Sequence, residues 1–271
     1  MAKLSPVVSG QYLDVPGARL YYETAGDGPP VVFLHGFSLD ARMWDDQWDA
    51  FASRHRVVRY DLRGFGRSEA QPVAYSQEDD LVALLDHLEI ARAHVIGLSM
   101  GGVYAVDFAL AHPERVLGLV PVDGAASGSL GPMPPGPALA EAQAAEGRTD
   151  EALTSWLADP FFTPAHEQPG VAVRLREIVS GYGWWAARHP GKRRRIHPPA
   201  AGRLGEITAP TLVVVGERDV PRLRETSDEL ARGIPGARLL VLPGAGHMAN
   251  MEAPQAFNTA VLNFLASQVV A

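Results

Sequence analysis

The sequence predicts an α/β protein: a doubly wound, mostly parallel sheet carrying an inserted set of helices. Short apolar runs alternate along the chain with stretches of helical periodicity, which is the pattern of linked βαβ units. Runs such as Val31-Val32-Phe33-Leu34 and Thr211-Leu212-Val213-Val214-Val215 are continuously apolar, as strands covered on both faces must be. After about residue 128 the composition changes, and Gly, Pro and helix-like pieces replace the strand pattern until about residue 202.

In chain order, Tyr12 to Val15 and Ala18 to Thr24 read as a hairpin joined at Pro16-Gly17. The strand Val31 to Leu34 ends at His35-Gly36-Phe37-Ser38, and a helix with Trp44 and Trp48 four residues apart follows. Arg56 to Tyr60 is the next strand, ending in Asp61-Leu62-Arg63-Gly64-Phe65-Gly66-Arg67-Ser68. Gln77 to Leu88 carries Leu81, Leu84, Leu85 and Leu88 on one helical face. A strand at Ala93 to Ile96 then runs through Gly97-Leu98-Ser99-Met100-Gly101-Gly102 into a helix, and Val116 to Val120 is another buried strand. The insertion, residues 129–202, shows helix-like pieces at Ala138 to Ala145, Asp150 to Ala158 and Val171 to Ser180, broken by prolines. It reads as a helical cap on a core formed by residues 1–128 and 203–271. Strands resume at Thr211 to Val215 and Arg238 to Leu242, closed by Gly216-Glu217-Arg218-Asp219 and Pro243-Gly244-Ala245-Gly246-His247, and a last helix runs from about Pro254 to Gln268.

A chain of 271 residues with 46% hydrophobic residues can bury a large core, and its formal charge of −7 argues against nucleic acid or an anionic membrane as partner. Cysteine is absent, which removes disulfides, thiolate metal sites and a thiol nucleophile. The segment Met1 to Pro6 has no apolar leader pattern and no run approaches membrane-spanning length, so the expectation is a cytoplasmic protein.

In an open parallel sheet, ligands bind beyond the carboxyl ends of the strands. The polar motifs all fall at such ends, so Phe37, Ser99, Asp219 and His247 can converge. Gly97-Leu98-Ser99-Met100-Gly101 is a G-x-S-x-G turn between strand and helix, where the reversal forces the serine into a strained backbone and exposes its Oγ. A serine hydroxyl is a poor nucleophile without a base, and His247 in its Gly-rich turn is the best candidate. Asp219 is the carboxylate expected to orient that histidine, with Asp123 and Glu217 as rivals. The backbone N–H groups of Met100 and Phe37 are the expected oxyanion donors. His35 reads as a loop organiser, while His55, His94, His112, His166, His189 and His197 are assigned no chemistry.

With these residues in view, the chain resembles the α/β-hydrolase superfamily over nearly its whole length. The resemblance rests on His35-Gly36-Phe37, Asp61 to Ser68, Gly97 to Gly102, Gly216 to Asp219 and Gly246-His247, in that order. Within the superfamily the chain is similar to single-domain carboxylesterases, enol-lactonases, N-acyl-homoserine lactone hydrolases and cofactor-free haloperoxidases. The resemblance implies Ser99, Asp219 and His247 as a triad, structural roles for Asp61 and Arg63, and neither cofactor nor metal. It implies an acyl-enzyme on Ser99 formed from a small ester or lactone, with N-acyl-homoserine lactones among the candidates. A C–C bond hydrolase, a perhydrolase or haloperoxidase, and a ligand sensor on the same fold are the alternatives.

The departures from pattern narrow the choice. Ser99 stands where haloalkane dehalogenases and epoxide hydrolases carry aspartate. Phe37 and Ser38 replace the tryptophan and proline of many haloperoxidases, and Leu98 replaces an asparagine common in the C–C hydrolases. Trp156, Phe161, Phe162, Tyr182, Trp184 and Trp185 are the aromatic candidates for an apolar lid, with packing of the cap onto the core as the competing and favoured reading for each; of them Trp184 and Trp185 are placed at the substrate pocket. Lys192-Arg193-Arg194-Arg195 reads as a solvated loop, with recruitment of anionic substrates as the alternative.

Overall fold

A computed structural model describes residues 10–129, 131 and 135–268; the N-terminal segment and part of the Gly/Pro-rich stretch read above lie outside them. Strands β1 (Gln11–Val15) and β2 (Ala18–Ala25) form the expected antiparallel hairpin, and β2 also pairs antiparallel with β4 (Arg56–Tyr60) and with the two-residue β5 (Glu69–Ala70). From β4 the sheet continues in parallel through β3 (Pro30–Leu34), β6 (Ala93–Leu98), β7 (Val116–Val122), β8 (Leu212–Gly216) and β9 (Arg238–Leu242). The strand order is β1-β2-β4-β3-β6-β7-β8-β9. The chain leaves β3 toward β4 on one side and later returns to β6 on the other. That reversal opens a crevice at the carboxyl ends of β3 and β6, where a ligand can reach the loops. His35-Gly36-Phe37 and Ser99 sit at these two strand ends.

Helices α1 (Asp45–Ala52), α2 (Gln77–His87) and α3 (Met100–Ala111) connect the first parallel strands. All six residues of β6 are buried, and α3 buries most of its length behind them. That double burial is why the strand reads as apolar without alternation. Between β7 and β8 lie α4 (Pro135–Ala145), α5 (Thr149–Leu157), α6 (Thr163–His166), α7 (Pro169–Ser180) and α8 (Trp185–Arg188). The chain then closes with α9 (Pro221–Gly233), α10 (Ala249–Glu252) and α11 (Pro254–Ala266), α9 being an element the periodicity reading passed over.

An aromatic cluster locks the inserted helices over the loop after β3. The Phe37 ring meets Trp156 edge-on at 5.5 Å and Tyr182 at 5.4 Å between centroids, while Tyr182 stacks on Phe65 at 4.9 Å. Trp156 Nε1 donates to Ser38 Oγ at 2.5 Å. Such ring pairs contribute about 0.5–1.5 kcal/mol each beyond the area they bury. Among the described residues, no helix is long and apolar enough to cross a membrane.

Candidate active site

Ser99 begins the turn from β6 into α3 with φ 55° and ψ −115°, a conformation rare for a residue with a side chain. The strain is of the order of 1–3 kcal/mol and persists only where the surroundings enforce it. Here Ser99 N–H donates to the Val122 carbonyl of β7 at 2.8 Å, and the Ser99 carbonyl accepts from Val103 N–H at 3.0 Å. A Cβ on Gly97 would collide with the Gly101 carbonyl, and one on Gly101 with the Leu34 carbonyl, so the turn closes only with glycine at both places. Met100 is the first residue of α3, so its N–H has no acceptor inside the helix. Phe37 N–H donates to no group among the described residues. Both residues line the cavity that Ser99 faces.

His247 lies in the turn after β9, buried, with Nδ1 at 3.0 Å from Asp219 Oδ2. The Phe161 ring packs over the imidazole at 4.6 Å. Glu252 clamps the turn: its carboxylate accepts from Gly246 N–H at 2.6 Å and Met248 N–H at 3.0 Å, the two residues flanking His247. Sequence reading passed over Glu252. Its signal was an acid five residues beyond Gly246-His247, at the end of a short helix and ahead of Pro254. His247 and Ser99 line the same cavity without a direct hydrogen bond, a looseness common before substrate arrives.

Asp219 has its other oxygen occupied, because Oδ1 accepts from Val220 N–H at 2.6 Å. The rival acid Asp123 is fully buried at the end of β7 with φ 46°. Its Oδ1 accepts from Gly216 N–H at 2.7 Å, while no donor reaches Oδ2. Burial, and then the neighbouring Asp219 charge, push the Asp123 carboxyl far above the ordinary carboxylate range. Asp123 is therefore the neutral partner of an acid pair, and Asp219 the member that faces the histidine. Donor atoms of Asp123, Asp219 and His247 lie within 4.8 Å of one another, the one set among the described residues that could hold a metal ion. A hydrogen bond already accounts for the Asp219–His247 contact, and a buried carboxyl pair needs only a shared proton.

His35 organises the loops, as its position suggested. Its Nδ1 pairs with the Gly36 carbonyl at 2.8 Å and its Nε2 accepts from Leu62 N–H at 2.9 Å. Burial holds its pKa below the usual imidazole value, which keeps the ring neutral. Asp61 is buried and accepts from Ala41 N–H at 2.8 Å and Arg67 N–H at 2.7 Å. Arg63 makes a buried two-pronged pair with Asp80, at 2.6 and 2.8 Å. Neither Asp61 nor Arg63 faces the cavity.

The cavity holds about 360 Å³, the size of a small-molecule site. The inserted segment lines it with Trp156, Phe161 and Phe162, facing Phe37 and Tyr104 of the core. Two expectations need correction. Trp184 and Trp185 do not line it: Trp184 is buried against Tyr182 at 4.8 Å, and Trp185 donates its indole N–H to the Ala70 carbonyl at 3.1 Å while stacking on His189. Helical spacing could not show that both rings are spent on packing. The run Lys192 to Arg195 is not uniformly solvated either, since Arg193 is only partly exposed and Arg193, Arg194 and Arg195 all reach the cavity wall.

A parallel sheet with a strained serine at its central strand end, and a histidine–carboxylate pair beside it, defines a hydrolase of the α/β class. The chain belongs to the alpha/beta hydrolase family, whose sequence profile matches residues 31–260. It is 35% identical over 271 aligned positions to the dihydrolipoyllysine-residue acetyltransferase component of the acetoin cleaving system of Pseudomonas putida, covering 92% of this chain and 67% of that one. It is 32% identical to the 2-hydroxy-6-oxononadienedioate/2-hydroxy-6-oxononatrienedioate hydrolase of Paraburkholderia xenovorans LB400, with 92% and 91% of the two chains covered. Among solved structures, the enol-lactonase from Burkholderia xenovorans LB400 superposes with a TM-score of 0.78 at 30% identity, over 94% of this chain and 100% of that one.

Proposed function

We propose that the protein is a serine carboxylic-ester hydrolase acting on small esters or lactones. The carrying observation is the 3.0 Å contact of Asp219 with His247, whose ring lines the cavity that the elbow serine faces. In this reading His247 Nε2 takes the Ser99 proton as Oγ attacks the carbonyl carbon. The N–H groups of Phe37 and Met100 hold the oxyanion, each such donor being worth about 3–4 kcal/mol in the transition state. His247 then gives its proton to the departing alcohol, or to the ring-opened hydroxyl of a lactone. Water, deprotonated by the same imidazole, cleaves the acyl-enzyme. Asp219 stabilises the imidazolium formed in each half. The similarity to an enol-lactonase structure supports this substrate class.

The test is turnover of short-chain p-nitrophenyl esters, an enol-lactone and N-acyl-homoserine lactones by the native chain and by Ser99→Ala. Ester or lactone hydrolysis that survives the substitution overturns the reading. A second reading, C–C bond cleavage by the same triad, is favoured by the 32% identity to a C–C hydrolase. Turnover of a vinylogous 1,5-diketone acid with no activity on any ester or lactone would put that reading first. Single-turnover hydrolysis that stalls would instead indicate a ligand sensor.

A further inference from the structure

Away from the nucleophile, the cavity is lined by a guanidinium, that of Arg193, with no carboxylate in ion-pair contact among the described residues. The loop carrying Arg193 is fastened to Tyr75 by backbone bonds: Tyr75 N–H donates to the Lys192 carbonyl at 3.0 Å, and Arg194 N–H to the Tyr75 carbonyl at 2.7 Å. Tyr75 is in turn covered by the guanidinium of Arg63, 4.8 Å above its ring, which the buried Asp80 pair holds in place. The Arg193 backbone is thus positioned by a built support and not by its own charge. Its side chain folds inward over the Tyr104 ring, 4.9 Å from the centroid, and donates to the Tyr104 hydroxyl.

Arg194 differs: it is exposed and pairs with Asp79 at 3.1 Å. Arg193 has no acidic group within ion-pair distance among the described residues. The acids at this end of the cavity, Glu78 and Asp107, are both pushed upward by burial, Asp107 to about 7. Neither lies within ion-pair distance of Arg193, and Glu78 acts on it only through the longer-range attraction of its charge. A partly desolvated guanidinium is stabilised by a planar anion that its fork can grip with two hydrogen bonds.

We propose that Arg193 and Tyr104 form a recognition subsite for a carboxylate carried by the substrate, so that the preferred ester or lactone is anionic at the end remote from the scissile bond. This rests on the serine-hydrolase reading above. Tyr104 lies five residues along α3 from Ser99, a rise of roughly 7–8 Å. A substrate with a spacer of about four methylenes between the reacting carbonyl and the carboxylate is of that order of length. The subsite holds one end of the substrate while the acyl carbon rests at the elbow.

The experiment compares two methyl esters of equal length by proton release: monomethyl adipate, and methyl 6-methylheptanoate, in which an isopropyl group replaces the carboxylate. The native protein is expected to favour the anionic ester at least tenfold in kcat/KM, chiefly through KM, with the preference weakening as salt is added. Arg193→Gln is expected to lower the ratio of the two kcat/KM values by about 10–100-fold, and Arg193→Lys to recover part of it. Equal turnover of both esters by the native protein, or an unchanged ratio in Arg193→Gln, overturns the subsite while leaving the serine mechanism standing. Activity that persists in Ser99→Ala overturns the mechanism instead. Should neither ester turn over, calorimetric titration of monomethyl adipate into Ser99→Ala decides, because binding that is no weaker in the Arg193→Gln double variant also overturns the subsite.

Discussion

The two ends of the cavity are built on opposite principles. At the nucleophile end every group is fixed by backbone: Ser99 by Val122 and Val103, His247 by a turn whose N–H groups Glu252 clamps, Asp123 by Gly216. At the far end, side chains from separate elements meet: Tyr104 and Asp107 from α3, Glu78 from α2 and Arg193 from the loop before β8. Backbone-fixed groups suit chemistry, which tolerates little misplacement. Side chains gathered from separate elements suit recognition, because they can be exchanged without disturbing the sheet. On the proposed function, the reaction and its specificity rest on physically separable parts of one chain.

That separation can be broken at its strongest point first. Ser99→Ala should reduce ester turnover by about 10⁴-fold or more, since the base and its acid can do nothing without the nucleophile. Burst and steady-state kinetics would measure it. Asp219→Asn should cost about 10³–10⁴-fold by offering the histidine the wrong partner. Asp123→Asn should cost less than about tenfold, because a neutral group already stands there and the amide can still donate toward Asp219. Equal losses in the two variants would show that the acids share the orienting role. Glu252→Gln keeps one acceptor for the turn but cannot accept at both N–H groups. A loss of about tenfold in kcat with KM little changed is the expected signature of a displaced base.

The smallest effect concerns stability at the far end. Asp107 keeps its proton in the native state up to about 7, whereas in the unfolded chain it ionises near 3.9. Between those values the native state binds more protons, so this group's contribution to stability falls as pH rises through the window. Asp107→Asn, which can still accept from Ser127 Oγ as Asp107 does at 2.7 Å, removes that dependence. It should be more stable than the native protein by about 1–2 kcal/mol at pH 8 and indistinguishable from it near pH 4, as read by urea unfolding.

The fold was legible because each parallel strand is covered on both faces and so advertises itself as an unbroken apolar run. The helix α9 was less legible, since charged residues dominate its sequence from Pro221 to Gly233 and only Leu223, Thr226, Ser227 and Leu230 are buried. The catalytic candidates were legible for a different reason. Strand ends in such a sheet converge by topology, so Ser99, Asp219 and His247 needed only to be located at strand ends to be brought together. Glu252 escaped because its partners are backbone N–H groups, which leave no trace in residue identity.

The misplacement of Trp184 and Trp185 follows the same logic. An aromatic residue in the inserted helices can face the cavity or the core, and local sequence is identical in either case. Trp156 and Phe161 face inward only because Ser38 and His247 meet them there.

By itself, then, the sequence determined the sheet, the elbow and the order of the triad candidates, because backbone geometry and apolar burial are written locally. The tertiary structure alone decided which of two carboxylates faces the histidine, which aromatic rings line the cavity, and that Arg193 points inward from a run of four basic residues. Each of these depends on a neighbour distant in the chain, and charge or ring character carries no record of the direction in which a side chain will point.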